Sequence, residues 1–76
     1  MYSLDKLSLG EHAVIEDVNL SSAMRRRLYD IGLIPNTEVL CVGKSPLGDP
    51  VSFLICGSVI ALRTSDLKGI SIKEAP

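Results

Sequence analysis

The chain of 76 residues has little of what catalytic and nucleic-acid sites are built from. It contains no tryptophan, one histidine and two cysteines, and its aromatic residues make up 4% of the sequence. Tyr2, Tyr29 and Phe53 are scattered, so they indicate no stacking platform for nucleic-acid bases. Eight Lys and Arg against nine Asp and Glu give a net charge of −1, without the positive excess of a nucleic-acid-binding module. We therefore expect no nucleic-acid partner.

Long apolar segments are also missing. The uninterrupted apolar runs are short and cover residues 39–42, 53–56 and 59–62, whereas a membrane-spanning helix needs about 20 largely apolar residues. Residues 1–10 lack the basic segment and following apolar segment of a signal peptide. A chain of this length has room for one small core, so we expect residues 1–76 to form a single domain.

The polar residues show no spacing that is typical of catalysis or of a metal site. One histidine and two separated cysteines do not supply a nucleophile, a base and an orienting group, so we expect no enzyme. His12, Cys41 and Cys56 are the candidate metal ligands, but no two have the spacing of a structural site. We expect both cysteines to be small apolar strand residues and His12 to lie on the surface. Weak binding of Fe²⁺ or Mg²⁺ by scattered carboxylates is the alternative.

Strand-forming residues and turn residues alternate along most of the chain. They predict strands over residues 12–18, 37–42, 51–56, 59–63 and 70–73. Gly57-Ser58 fits a two-residue type II′ hairpin turn, and residues 64–67 indicate a short helical turn. Closely spaced strands without βαβ alternation predict a mainly β fold. We expect a small antiparallel sheet that closes into a five-stranded barrel of SH3-like or OB-like size, with one helix.

The helix is predicted between the first two of these strands. Ser21 or Ser22 can cap it, and its apolar stripe continues to about Ile31. Gly32 follows as the expected C-terminal stop.

The largest concentration of charge, Arg25-Arg26-Arg27, lies on this helix. Side chains at consecutive helical positions fan out, with about 200° between the outer two, so they cannot form one flat patch. One interpretation is a solvated face on which Arg26 and Arg27 pair with Asp30. The other is a docking face, because guanidinium groups bind carboxylates bidentately. The sequence leaves both open.

The segment Pro46-Leu47-Gly48-Asp49-Pro50 predicts a stiff loop. Two prolines restrict its backbone, Gly48 allows a tight reversal, and Leu47 has no periodic apolar partner. Leu47 either folds back onto the sheet at a hairpin tip or is presented to a partner. In the second case the stiffness of the loop lowers the ordering cost of binding.

Three segments in this order resemble the ferrous iron transport protein A (FeoA) family. Residues 24–35 resemble its arginine-rich helix followed by Leu/Ile-Gly-Leu/Met-x-Pro-Gly, and residues 46–50 match its Pro-Leu-Gly-Asp-Pro loop. Residues 59–63 with Asp66 are similar to its apolar-Ala-Leu-Arg-x-x-Asp/Glu segment. Asn36 stands where the family usually has glycine, and asparagine is the next-best residue for a positive φ.

The resemblance implies a small SH3-like barrel in the bacterial cytoplasm that acts as a non-enzymatic accessory protein. The implied partner is FeoB, the membrane permease for ferrous iron, which carries a cytosolic GTPase domain. The chain would then reach the membrane only through this partner. A homodimer through exposed strand edges stays open as well.

On this interpretation one set of residues contacts the partner, with Leu47 as the apolar anchor and the arginines as the charged rim. The set is Arg25, Arg26, Arg27, Leu47, Gly48 and Asp49. The alternative function is a carrier or sensor that itself binds Fe²⁺ or another divalent transition metal. It would be similar to the C-terminal domain of iron-dependent repressors of the diphtheria-toxin repressor type.

Overall fold

The computed structural model describes residues 2–74, which form six strands, one nine-residue helix and two single-turn helices. The strands are β1 (Tyr2–Ser3), β2 (His12–Val18), β3 (Glu38–Lys44), β4 (Val51–Ile55), β5 (Ser58–Leu62) and β6 (Ile70–Glu74). Helix α1 (Ser22–Asp30) lies between β2 and β3, and α2 (Thr64–Leu67) lies between β5 and β6. A 3₁₀ turn, Leu4–Lys6, follows β1. The mainly β class with one long helix and a short helical turn at residues 64–67 is confirmed.

The six strands form one antiparallel sheet in the order β1-β6-β2-β3-β4-β5. Its edge strands, β1 and β5, do not pair with each other within residues 2–74, so the sheet is open where a closed barrel was predicted. The sixth strand is the two-residue β1, which is not among the five predicted strands. The expected domain also includes residues 1, 75 and 76, which lie outside the described part.

The core lies on the inner face of this bent sheet. Alternate strand residues point inward, and Phe53 of β4 is the largest of the fully buried side chains. Register shifts between Ile15 and Asp17 and between Cys41 and Gly43 bend β2 and β3. The remaining space is filled from helices and loops, by Leu4, Leu7, Leu28, Leu33 and Leu67.

Helix α1 begins and ends with well-defined caps. The Ser21 hydroxyl accepts a hydrogen bond from the Met24 amide at 3.3 Å, so Ser21 rather than Ser22 is the N-cap. At the other end the Leu33 amide donates to the Leu28 carbonyl at 2.9 Å, and the Gly32 amide donates to the Tyr29 carbonyl at 3.0 Å. With Gly32 at φ 97°, this is a Schellman motif, which turns the chain sharply towards β3.

The turn between β4 and β5 differs from the predicted one. Ile55 pairs with Ser58, so the two turn residues are Cys56 and Gly57, with φ of 50° and 81°. Positive φ at both positions is the type I′ geometry, and the predicted type II′ turn at Gly57-Ser58 is wrong. Cys56 consequently lies in an exposed turn and not in a strand.

Candidate functional site

The loop between β3 and β4 is closed by its own hydrogen bonds. The Ser45 amide donates to the Pro50 carbonyl at 3.2 Å, and the Gly48 amide donates to the Ser45 carbonyl at 2.8 Å. This places Pro46 at the second position of a β-turn and Gly48, at φ 85°, at the fourth. Leu47 projects from the tip of this turn and is 94% exposed. The interpretation in which Leu47 folds back onto the sheet is therefore wrong.

A second set of hydrogen bonds ties the loop to the start of α2. An oxygen of the Asp49 carboxylate accepts from the Thr64 amide at 3.0 Å, and the Thr64 hydroxyl donates to the Gly48 carbonyl at 3.1 Å. Asp49 therefore holds the loop in place, and Gly48 supplies both the reversal and an acceptor. The segment is fixed at its base and presents an apolar side chain at its tip.

An open groove of about 450 Å³ separates α1 from β5. Met24 and Ile60 are partly buried against the core and form its apolar floor together with Leu28. Arg27 and Arg63 are exposed and line it as well. The complete lining is Met24, Arg27, Leu28, Ile31, Ile60, Ala61, Leu62, Arg63 and Asp66.

Arg63 connects this groove to the loop. It lies between β5 and α2, and it lines both the groove and a smaller pocket formed with Asp49 and Pro50. The loop, Arg63 and the groove consequently form one continuous surface. Arg63 is not among the site residues predicted from the sequence, although it belongs to the Ala-Leu-Arg segment that carries part of the resemblance.

The three consecutive arginines do not act on one surface. Arg27 lies on the groove, whereas Arg25 and Arg26 line a shallow depression with Tyr29 and Asp30 on another side of α1. The ion pairs of Arg26 and Arg27 with Asp30, which belong to one of the two interpretations of this run, are not formed. Within residues 2–74, the one close contact between a basic and an acidic side chain joins His12 and Glu38, whose Nδ1 and Oε1 atoms are 3.3 Å apart.

The candidate metal ligands are dispersed. Cys41 is fully buried on the inner face of β3, while His12 is exposed at the start of β2, opposite Leu40 in the register. Cys56 lies in the β4–β5 turn, so its predicted strand location is wrong. The predicted strand location of Cys41 and the predicted surface location of His12 are confirmed. No group of three or more His, Cys, Asp or Glu side chains within residues 2–74 is arranged to hold a metal ion. His12, Cys41 and Cys56 are therefore not gathered into one site.

A membrane-spanning helix is not found in the described part of the chain, where α1 is the longest helix.

A family model and several solved structures place this chain with one family. A sequence model described as the FeoA domain matches residues 2–74. The solution structure of FeoA from Chlorobium tepidum superposes with a TM-score of 0.93 at 30% identity, covering 97% of this chain and 70% of that one. The crystal structure of Stenotrophomonas maltophilia FeoA, a prokaryotic SH3 domain protein complexed with zinc, superposes with a TM-score of 0.82 at 32% identity. That match covers 96% of this chain and 91% of the Stenotrophomonas maltophilia protein. The comparison with curated proteins gives no match.

The same fold occurs in a manganese-dependent transcriptional repressor. That structure superposes with a TM-score of 0.84 at 14% identity, and the match covers 96% of this chain and 41% of the repressor. This likeness concerns the fold alone. The predicted SH3-like architecture is confirmed by the similarity to the Stenotrophomonas maltophilia protein, which is described as an SH3 domain protein.

Proposed function

Because the chain belongs to the FeoA family, we propose that it is a non-enzymatic accessory protein of bacterial ferrous iron uptake. It acts in the cytoplasm by docking on the cytosolic part of the FeoB permease. The observation that carries this proposal is Leu47, 94% exposed at the tip of a loop that hydrogen bonds hold at its base. A relative, Stenotrophomonas maltophilia FeoA, is described as a candidate activating factor of ferrous iron transport.

The energetics favour Leu47 as the anchor of such a contact. Burying an exposed leucine side chain contributes about 1.5–3 kcal/mol. Because the loop is already ordered through Asp49 and Thr64, little of this gain is lost to ordering on binding. Exposed arginines at the rim mainly accelerate encounter and contribute less to the strength of the complex.

Docking on a GTPase domain has a regulatory effect only under one condition. The accessory protein must bind two nucleotide or conformational states of that domain with different affinities. The physical basis of regulation is then a shift in the population of these states. No group of this chain has to take part in GTP hydrolysis.

The test is an NMR titration of the ¹⁵N-labelled chain with the cytosolic domain of the cognate permease, with and without a GTP analogue. We expect shifts at residues 45–50, at Arg27 and at Arg63, and a dependence of the affinity on the nucleotide. A parallel titration with the full permease in nanodiscs covers contacts on its membrane domain. Absence of binding in both titrations contradicts the proposal.

The matched variants are Leu47→Ala and Leu9→Ala, since Leu9 is also exposed but lies outside the loop. Leu47→Ala should weaken binding by about tenfold or more, and by more than any single Arg→Ala substitution. Leu9→Ala should leave the affinity unchanged. Equal affinities of the Leu47 variant and the unmodified chain rule out the anchor role.

Direct metal binding is the second candidate, supported by the zinc complex of the Stenotrophomonas maltophilia relative. In this function the chain carries or senses Fe²⁺ or another divalent transition metal. Stoichiometric Fe²⁺ retained by the purified chain after anaerobic dialysis, and lost in His12→Ala or Cys56→Ala variants, would support it. The dispersion of His12, Cys41 and Cys56 makes weak, non-stoichiometric binding the expected result.

A further inference from the structure

Strand β5 has an unpaired backbone edge. It pairs only with β4, and next to the two-residue turn Ile55 and Ser58 form the hydrogen-bonded pair of the ladder. The pattern of an antiparallel ladder then directs the N–H and C=O groups of Val59 and Ala61 away from β4. No hydrogen bond outside the β4–β5 ladder involves either residue within residues 2–74.

This edge also lacks the charged residues, the proline and the bulge that commonly protect an edge strand. Its sequence, Ser-Val-Ile-Ala-Leu, contains no charged residue and no proline. The register of β4 and β5 is regular over all five pairs, so no bulge twists the edge away. Val59 is 65% exposed beside the edge. The backbone is therefore available to another strand.

The groove described above lies along this same edge. A strand added to β5 would run about 4.8 Å from it, which places the new strand over the groove between β5 and α1. Its inward-pointing side chains would contact Met24, which is partly buried against the core, and Ile31, which is 39% exposed. Its outward-pointing side chains would lie beside Val59. Both contacts are apolar.

The charges at the groove indicate which kind of strand fits. Arg27 and Arg63 line the groove, and neither forms a salt bridge within residues 2–74. Asp66 is the one acidic residue of the lining. A strand with acidic residues near its ends would pair with these guanidinium groups. A second copy paired through β5 would not, because residues 58–62 contain no Asp or Glu.

We propose that an extended segment of a partner protein, with alternating apolar side chains and flanking Asp or Glu residues, adds to the edge of β5 and seats against α1. The groove is then a peptide-binding site that uses the backbone for affinity and Arg27 and Arg63 for selectivity. This inference does not require Leu47 to anchor a partner, and it is tested with different variants.

The probe is a display library of random peptides of about eight residues, long enough to span β5 and both arginines. It is selected against the full chain immobilised through its N-terminus. We expect enriched peptides to have apolar residues at alternate positions and Asp or Glu near the ends. Enrichment without acidic residues, or no enrichment at all, overturns the proposal.

Hydrogen exchange then separates strand addition from any other mode of binding. A selected synthetic peptide should slow exchange of the Val59 and Ala61 amides, whose N–H groups face the free edge, and leave the already paired Ile60 amide unchanged. Equal protection of all three amides, or of none, contradicts strand addition.

Two pairs of variants test the backbone and the charges separately. Ala61→Pro removes an edge donor without breaking the β4–β5 ladder, because this N–H faces away from β4, and Ala61→Val keeps the donor. The proline variant should lose peptide binding and the valine variant should retain it. Arg63→Glu should weaken binding of the acidic peptide by about tenfold, whereas Arg26→Glu, outside the groove, should not.

The charge argument has a reciprocal control. A peptide in which Lys replaces the acidic residues should bind the Arg63→Glu variant better than the unmodified chain. The chain without peptide is the control for self-association. A concentration-dependent dimer that slows hydrogen exchange of the Val59 and Ala61 amides, and that Ala61→Pro abolishes, would show that a second copy occupies the edge. That result overturns the proposed occupant.

Discussion

Gly32 meets two separate requirements of the fold. Its φ of 97° closes the Schellman motif at the end of α1, and a Cβ at this position would lie 2.7 Å from the Cys56 sulfur. The end of α1 therefore packs directly against the β4–β5 turn. A single residue holds the helix close to the strand pair whose edge forms the other wall of the groove.

Gly32→Ala should consequently destabilise the protein by more than backbone strain alone. A left-handed conformation costs an alanine about 1–2 kcal/mol. The added methyl group also forces the exposed Cys56 sulfur to move, which adds a smaller cost. Gly10→Ala is the matched control, because Gly10 has φ 85° but no atom within 4 Å of its added Cβ. Urea denaturation should show the larger loss for Gly32→Ala, reduced in a Cys56→Ala background. Equal losses for the two glycines would contradict the contact.

Asp49 is a positioning residue of the proposed docking loop. Asp49→Ala removes the acceptor of the Thr64 amide while leaving Leu47 intact. We expect a stability loss of about 0.5–1.5 kcal/mol, the typical net value of one hydrogen bond. ¹⁵N relaxation should show faster motion of the Leu47 and Gly48 amides, and the affinity for the permease should fall less than in Leu47→Ala. Asp49→Asn, which keeps an acceptor, should restore loop order, and unchanged dynamics in Asp49→Ala would exclude the positioning role.

At the scale of elements, the N-cap of α1 gives a prediction with an internal control. Ser21 accepts the Met24 amide, whereas Ser22 is the first helical residue and makes no such bond. Ser21→Ala should reduce the free energy of unfolding by about 1 kcal/mol. Ser22→Ala should change it little, because alanine is favourable inside a helix. Thermal or urea unfolding of both variants measures this difference, and equal stability losses would contradict the assignment of Ser21 as the N-cap.

The existence of most elements could be predicted from sequence, and so could the hairpin of β4 and β5, but the register of this hairpin could not. Gly57 fits the first position of a type II′ turn and the second position of a type I′ turn equally well. Moving the turn by one residue shifts the pairing by two positions, so Phe53 and Ile55 point inward in both registers. The alternation of apolar and polar residues therefore does not distinguish the predicted register from the observed one. In the observed register Val51 pairs with Leu62, and both side chains are buried.

At the scale of the whole molecule, the loop was predictable and the groove was not. Residues 46–50 are contiguous, so their stiffness is visible in the sequence. The groove arises only where α1 lies beside the free edge of β5, two elements separated by 27 residues between Asp30 and Ser58. Helical geometry did predict that the three arginines diverge. Which of them faces the groove depends on how α1 docks, and it is Arg27.

Apolar residues stabilise the fold, whereas charged residues lie on the surface that is proposed to contact a partner. The core is apolar, with no buried polar or charged residue among residues 2–74, and the His12–Glu38 pair is exposed. Raising NaCl from about 50 mM to about 500 mM should therefore change the free energy of unfolding by less than about 0.5 kcal/mol. The same change should slow association with the permease domain and with acidic peptides, because it screens Arg27 and Arg63.

Stopped-flow association rates and urea unfolding at both salt concentrations test whether salt affects binding without affecting stability. A large salt effect on unfolding would mean that charges stabilise the fold, and a salt-independent association rate would mean that the arginines do not steer the partner.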